Sequence, residues 1–142
     1  MPELEDALLF AVKAHMGQKD KGGEPYILHP VRVMAAMRTP TERMTAILHD
    51  VVEDTRFTIE DLRYMKYPEE VLDTLACLTR DHGETYEDFI KRAASNPVAR
   101  KVKIADLEDN MKISRLEILN GGDMKRLNKY TRSWRYLISR EE

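Results

Sequence analysis

Residues 47–55 read Ile47-Leu48-His49-Asp50-Val51-Val52-Glu53-Asp54-Thr55. On a helix, residues four apart share a face, so His49 lies under Glu53 and Asp50 under Asp54. Neighbouring positions turn by about 100°, so the four polar groups form one broad strip, while Leu48, Val51 and Val52 point elsewhere and can bury. Carboxylates this close repel, and burying any of them is unfavourable without a cation. Taken alone, the strip is explained equally well by a solvated acidic helix face or by a cluster that a divalent metal neutralises.

Outward from this stretch the periodicity is helical almost throughout. Leu4, Ala7, Leu8, Ala11 and Val12 recur at three- and four-residue spacing, the mark of one buried stripe. The polar run Gln18 to Pro25 breaks that helix. A second helix is predicted to open near His29-Pro30, because proline tolerates the first turn, and to stop before Thr39-Pro40. Thr41 is then the expected cap of the third helix, which carries Met44, Ile47, Leu48 and Val51. Thr58-Ile59-Glu60-Asp61 and Thr85-Tyr86-Glu87-Asp88 have the form of capped starts. Asn96-Pro97 opens a long helix expected to run through Leu107, Met111 and Ile113 to Gly121-Gly122, after which Asp123 caps a closing helix. No alternating strand pattern survives its neighbours. The expected fold is one all-α domain over residues 1–142, with about seven or eight helices and a C-terminal helix over about 123–139 packed on it.

The bulk composition narrows the function classes. With 42% hydrophobic and 34% charged residues in 142, the chain is too apolar for disorder and long enough for a real core. A net charge of −2 gives the whole chain no pull toward nucleic acid or a membrane surface, so an anionic ligand must be held by a local site. The single cysteine, Cys77, excludes an intramolecular disulfide and sits among apolar residues, as an inert core thiol would. The start, MPELEDALLFAVKAH, is unlike a secretory signal, and no apolar stretch approaches a membrane span. The expectation is a soluble, cytoplasmic protein.

Two further features favour the metal. His29 precedes a proline and is flanked by apolar Ile27, Leu28 and Val31, and Asp106 and Asn110 share a helix face. A histidine, a His-Asp pair and a distant aspartate form a mixed N/O set, which suits manganese, iron or zinc better than calcium. The thiolates of a structural zinc site are missing, which favours an open catalytic centre.

In order, GEPYILHP (23–30), ILHDVVEDT (47–55) and KIADLEDNM (103–111) resemble the hydrolase domain of the Rel/Spo family, a branch of the HD superfamily. The chain is most similar to the stand-alone small alarmone hydrolases, over roughly residues 1–120; no nucleotide-synthesising domain is expected in the remainder. The resemblance implies metal ligation by His29, His49, Asp50 and Asp106, usually around manganese, with Glu53 and Asp54 positioning or deprotonating the attacking water. It implies a small-molecule substrate, guanosine carrying a 3′-pyrophosphate, cut to pyrophosphate and GDP or GTP, with Asn110 on the nucleotide sugar. Lys19, Lys21 and Lys103 are candidate phosphate contacts, although isolated lysines are more often solvated. Tyr26 either lines the base pocket or belongs to the core. His15 and His82 read as structural or surface histidines.

Departures from the family pattern bear on the substrate. Asp20 stands at an expected basic position, and Leu107-Glu108-Asp109 replaces a basic-hydrophobic-aromatic run. Phosphate count and base identity therefore stay open, as do a substrate such as NADPH, a nucleoside monophosphate or a cyclic nucleotide, and a non-catalytic nucleotide sensor. A sensor has no need of both Glu53 and Asp54. Tyr130, Trp134, Tyr136 and Leu137 on the closing helix are expected to pack on the core, with some available to the interface of a homo-oligomer.

Overall fold

The computed structural model describes residues 1–140; the last two positions of the expected 1–142 domain lie outside the described residues. Among the described residues the chain forms α1 (Leu4–Ala14), α2 (Leu28–Ala35), α3 (Pro40–Asp54), α4 (Ile59–Tyr64), α5 (Glu69–Cys77), α6 (Tyr86–Ala94), α7 (Pro97–Asn110) and α8 (Gly121–Ser139). A 3₁₀ turn (Ile113–Arg115) joins the last two, and no strand is present among the described residues. The fold is all-α, as the periodicity predicts.

Helix boundaries follow local hydrogen-bonding chemistry, and three differ from expectation. Thr39, not Thr41, caps α3: its hydroxyl accepts from the Glu42 backbone N–H at 3.1 Å, and the Glu42 carboxylate accepts from the Thr39 N–H at 3.2 Å. Pro40 then occupies the first helical position, where its missing N–H leaves nothing unpaired. The α7 helix ends at Asn110 instead of running on to Gly121, and the Asp109 carbonyl in its last turn accepts from Arg115 and the Lys112 N–H. Asn120, not Asp123, caps α8. Its side chain accepts from the Asp123 N–H and Asp123 returns the bond, so Gly121-Gly122 begin the helix rather than ending one.

The central element is α3, which packs against α1, α2, α5 and α7. Met44, Ile47, Leu48 and Val51 join Ala7, Ala11, Leu62, Val71, Leu72 and Leu75 in the largest core cluster. Each fully buried leucine or isoleucine contributes roughly 1.5–3 kcal/mol. On the other flank, Ala46 joins Val33, Ala99 and Val102. Because α3 is enclosed on several sides, the His49–Asp50 part of its polar strip is carried into the interior, while Glu53 and Asp54 remain exposed at its end. Phe89, Ile90, Leu107 and Leu137 tie α6, α7 and α8 together, with Tyr130, Trp134 and Tyr136 packed against them. Cys77 is only partly buried, and burial pushes its thiol up, away from the reactive thiolate.

The α5–α6 connection is held by Arg92, which donates to Glu84 at 2.9 Å and to the Thr79 carbonyl at 2.7 Å. Arg92, helped by the Asp81 N–H, holds the Glu84 carboxyl down at about 2, against an ordinary value of 4.5. A depressed carboxyl stabilises the fold above the ordinary value and loses that contribution as pH falls through the folded one. The stability gap between wild type and Glu84→Gln in urea denaturation is therefore expected to narrow from pH 4.5 to pH 2. A gap independent of pH over that window would show that the pair contributes nothing.

Candidate metal centre

Three helices bring the candidate ligands together. α2 presents His29, α3 presents His49 and Asp50 on adjacent positions, and α7 presents Asp106; one ligand atom from each lies within 4.8 Å of all the others. His29 Nε2 is 2.8 Å from Asp106 Oδ1 and 3.4 Å from Asp50 Oδ2. All four are buried.

His49 decides whether a cation fits. Its Nδ1 donates to the Ala46 carbonyl at 2.6 Å, so a neutral ring carries its lone pair on Nε2. That buried nitrogen has no hydrogen-bond partner, yet it faces Asp50 Oδ2 at 3.2 Å and Asp106 Oδ1 at 3.5 Å. A lone pair directed at carboxylate oxygens is repulsive unless positive charge lies between them. The donor set, two imidazoles and two carboxylates, fits a divalent ion of the manganese, iron or zinc type.

The charge states of the neighbours follow from the packing. Burial opposes a charge on His29, but bonds to Asp106 and Asp109 outweigh it and push the imidazole up to about 10. Burial would raise Asp106, yet Lys103 and the bond from His29 hold it well below the usual carboxylate range. Burial raises Glu53, with Asp54 and Asp50 adding to the shift against a bond from the Arg80 N–H. Asp54 is raised by burial and by Asp50, and its Oδ2 lies 3.2 Å from the Tyr26 hydroxyl oxygen.

A cavity of about 270 Å³ opens beside His29. Its wall carries Lys19, Lys21, Arg32, Lys112, Arg115 and Arg126 against only Asp20 and Asp109, with Asn110 and two tyrosines among the rest. Two adjoining hollows share Lys21, Leu116 and Arg126 with it, so the basic wall continues toward the start of α8. This wall suits a polyphosphate.

Of the expected substrate residues, Lys19, Lys21, Tyr26 and Asn110 line this cavity. Lys103 does not. Its Nζ is bonded to Asp106 Oδ2 at 2.8 Å and lies over the Phe89 ring. The Tyr26 hydroxyl donates to Asp50 Oδ2 at 2.7 Å, so one end of this ring touches the carboxylate cluster. Asp20 shapes its loop: one carboxylate oxygen accepts from the Gly22 and Glu24 N–H groups, each at 2.9 Å. His15 is a buried structural residue bonded to Gln18, and His82 is exposed. Sequence reasoning missed Arg32, Lys112, Arg115 and Arg126 on the cavity wall, and Asp109 behind His29. Two of them carried a signal: Arg32 is three residues from His29 and Asp109 three from Asp106, each on the face of its own helix that carries the ligand.

No protein-family model matches the chain. The GTP pyrophosphokinase of Streptomyces coelicolor is 32% identical over 126 residues, 80% of this chain and 15% of that protein. The guanosine-3′,5′-bis(diphosphate) 3′-pyrophosphohydrolase of Aquifex aeolicus is 33% identical over 122 residues, 78% of this chain and 17% of that protein. The bifunctional (p)ppGpp synthase/hydrolase SpoT of Escherichia coli is 35% identical over 123 residues, 77% of this chain and 18% of that protein. The chain thus spans less than a fifth of the length of these curated relatives. A solved structure, described as a metazoan ortholog of SpoT that hydrolyzes ppGpp and plays a role in starvation responses, superposes with a TM-score of 0.77 at 26% identity, covering 99% of this chain and 86% of that one.

An all-helical domain that gathers a histidine, an adjacent His-Asp pair and a distant aspartate in one buried cluster is an HD-type domain. Within that class, the chain is an HD-type domain of the Rel/Spo hydrolase kind. No helix of the described residues is long and apolar enough to cross a membrane.

Proposed function

We propose that this chain is a divalent-metal-dependent pyrophosphohydrolase that removes the 3′-pyrophosphate from an alarmone nucleotide of the (p)ppGpp or (p)ppApp type. In this reading residues 1–142 form one domain acting in the cytoplasm, His29, His49, Asp50 and Asp106 hold the ion, and manganese is the ion held. The observation that carries it is the unpartnered, buried His49 Nε2 facing two carboxylates beside a cavity with six cationic side chains. The names borne by the relatives from Aquifex aeolicus and Escherichia coli, and by the metazoan structure, point to the same chemistry.

A divalent ion at this site acidifies bound water and screens phosphate charge. The chain's own residues do the rest. The basic wall, with Lys19, Lys21, Arg32 and Arg126, binds the phosphates, and Asn110 and Tyr26 face the nucleoside from the same cavity. Glu53 or Asp54 takes the proton of the attacking water; both carboxyls are raised above their ordinary values, which makes each carboxylate a stronger base. Lys103 neutralises Asp106 from behind and keeps the ligand cluster from accumulating excess negative charge.

Incubation of manganese-loaded protein with ppGpp, ppApp, NADPH and AMP in turn, with products separated by anion exchange, tests this directly. Pyrophosphate release from ppGpp or ppApp is expected. Cleavage of NADPH or AMP alone would retain the metal chemistry and replace the substrate, and no turnover with any divalent ion would leave a nucleotide sensor.

A further inference from the structure

Asp109 lies outside the four-residue ligand cluster, yet its side chain is only 5% exposed and joins that cluster to the cavity wall. Its Oδ2 accepts from His29 Nδ1 at 2.7 Å and from Arg32 Nη2 at 3.0 Å. Its Oδ1 accepts from Arg32 Nε at 2.7 Å, with Arg115 Nη1 at 3.6 Å. Three groups from two segments, His29 and Arg32 on α2 and Arg115 on the 3₁₀ turn, therefore meet at one carboxylate on α7.

The chemistry of that meeting is directional. An ionised carboxylate only accepts, so His29 Nδ1 must carry the proton at this contact. The other ring nitrogen, Nε2, is then the one turned toward Asp50 and Asp106. A histidine that ligates a metal through one nitrogen is oriented by the hydrogen bond its other nitrogen makes, and a carboxylate is the strongest such partner. The two arginines explain why Asp109 can be buried there without itself turning to the ion: both of its oxygens are engaged by cations on the side away from the cluster.

We propose that Asp109 is a positioning residue of the metal centre, which fixes the tautomer and ring plane of His29 while holding Arg32 on the wall of the substrate cavity. This rests on the metal-centre reading above. It also gives a physical role to a residue whose sequence context, Leu107-Glu108-Asp109, departs from the family pattern.

The test uses Mn²⁺ alone as the probe, titrated calorimetrically into the wild type, Asp109→Leu and Arg32→Met. Asp109→Leu keeps approximate size and removes every acceptor; Mn²⁺ binding is expected to weaken about 10- to 100-fold. Arg32→Met leaves the Asp109–His29 bond in place and is expected to leave Mn²⁺ affinity within about twofold, because the ligand histidine keeps its partner. If both variants weaken Mn²⁺ binding equally, Asp109 acts only as a staple between α2 and α7, and the proposal is overturned; unchanged affinity in Asp109→Leu also overturns it. A measurement on the wild type guards against misfolding of the variant. In Zn²⁺-loaded protein, imidazole ¹⁵N–¹H correlations of His29 should show the proton on Nδ1; a proton on Nε2 would refute the assignment. Absence of any Mn²⁺ binding by the wild type would instead strike the metal-centre reading itself.

Discussion

Asp50→Asn is expected to lower the kcat/KM for pyrophosphate release by about a thousandfold or more, with the fold retained. The charge that Asp50 brings to the cluster stabilises a bound cation, and Lewis-acid chemistry at such a centre is worth several kcal/mol; about 4 kcal/mol corresponds to that factor. Asparagine keeps the size of the side chain, and its carbonyl can still accept from the Tyr26 hydroxyl that now donates to Asp50 at 2.7 Å. The remaining contacts of Asp50 are the two histidine Nε2 atoms, at 3.2 and 3.4 Å, which a cation would engage in its place. Asp106 offers no such separation of fold from site. It neutralises Lys103, whose side chain is only 13% exposed, and removing one partner of a buried ion pair costs about 3–5 kcal/mol. Circular dichroism and thermal unfolding without added metal, set beside Mn²⁺ titration, separate loss of the site from loss of structure in Asp50→Asn. Wild-type turnover in that variant would remove Asp50 from the ligand set.

The elements that could be read from the sequence were those fixed by local chemistry. Thr58, Thr85 and Asn96 cap helices where their side chains can reach a backbone N–H two or three residues on, and that reach is visible in the order of residues. The end of α7 was not legible, because apolar Met111 and Ile113 continue the periodicity while a turn and the Arg115 side chain, six residues on from Asp109, close the helix. The same division holds in the site. His49, Asp50, Glu53 and Asp54 lie on two successive turns, so their common face follows from helix geometry alone. Lys103 is one turn from Asp106 and the two pair, yet nothing in the sequence distinguishes that lysine from one facing a phosphate. Arg115 and Arg126 come to the wall from the turn and from α8. Their arrival depends on how α8 returns over α7, which is a matter of packing around Leu107 and Leu137, not of local order. The apparent shortage of positive charge suggested by Asp20 and by Leu107-Glu108-Asp109 is thus made good from other segments.

Glu53→Gln should reduce kcat by about 10²- to 10⁴-fold while leaving Mn²⁺ affinity near wild type, the range that loss of a general base produces. Glu53 lies one turn beyond Asp50 on α3 and is not among the four ligand residues, so its removal spares the ion. Its carboxylate accepts from the Arg80 N–H at 3.1 Å, and the amide oxygen of glutamine can take the same bond; the geometry of the turn is preserved and only the basic function is lost. The direction of the pH response follows from the environment. Burial, with Asp54 and Asp50 nearby, raises the Glu53 carboxyl above its ordinary 4.5, so activity should fall as pH drops toward that raised value. That acid limb should be absent from the residual activity of Glu53→Gln, since no proton remains to be gained there. Asp54 is raised as well and stands as the rival base, with the Tyr26 hydroxyl 3.2 Å from its carboxylate as the Arg80 N–H is 3.1 Å from that of Glu53. A pH–rate profile of Asp54→Asn decides between them: if that variant loses the acid limb and Glu53→Gln keeps it, the proton goes to Asp54, and Glu53 serves to place the water.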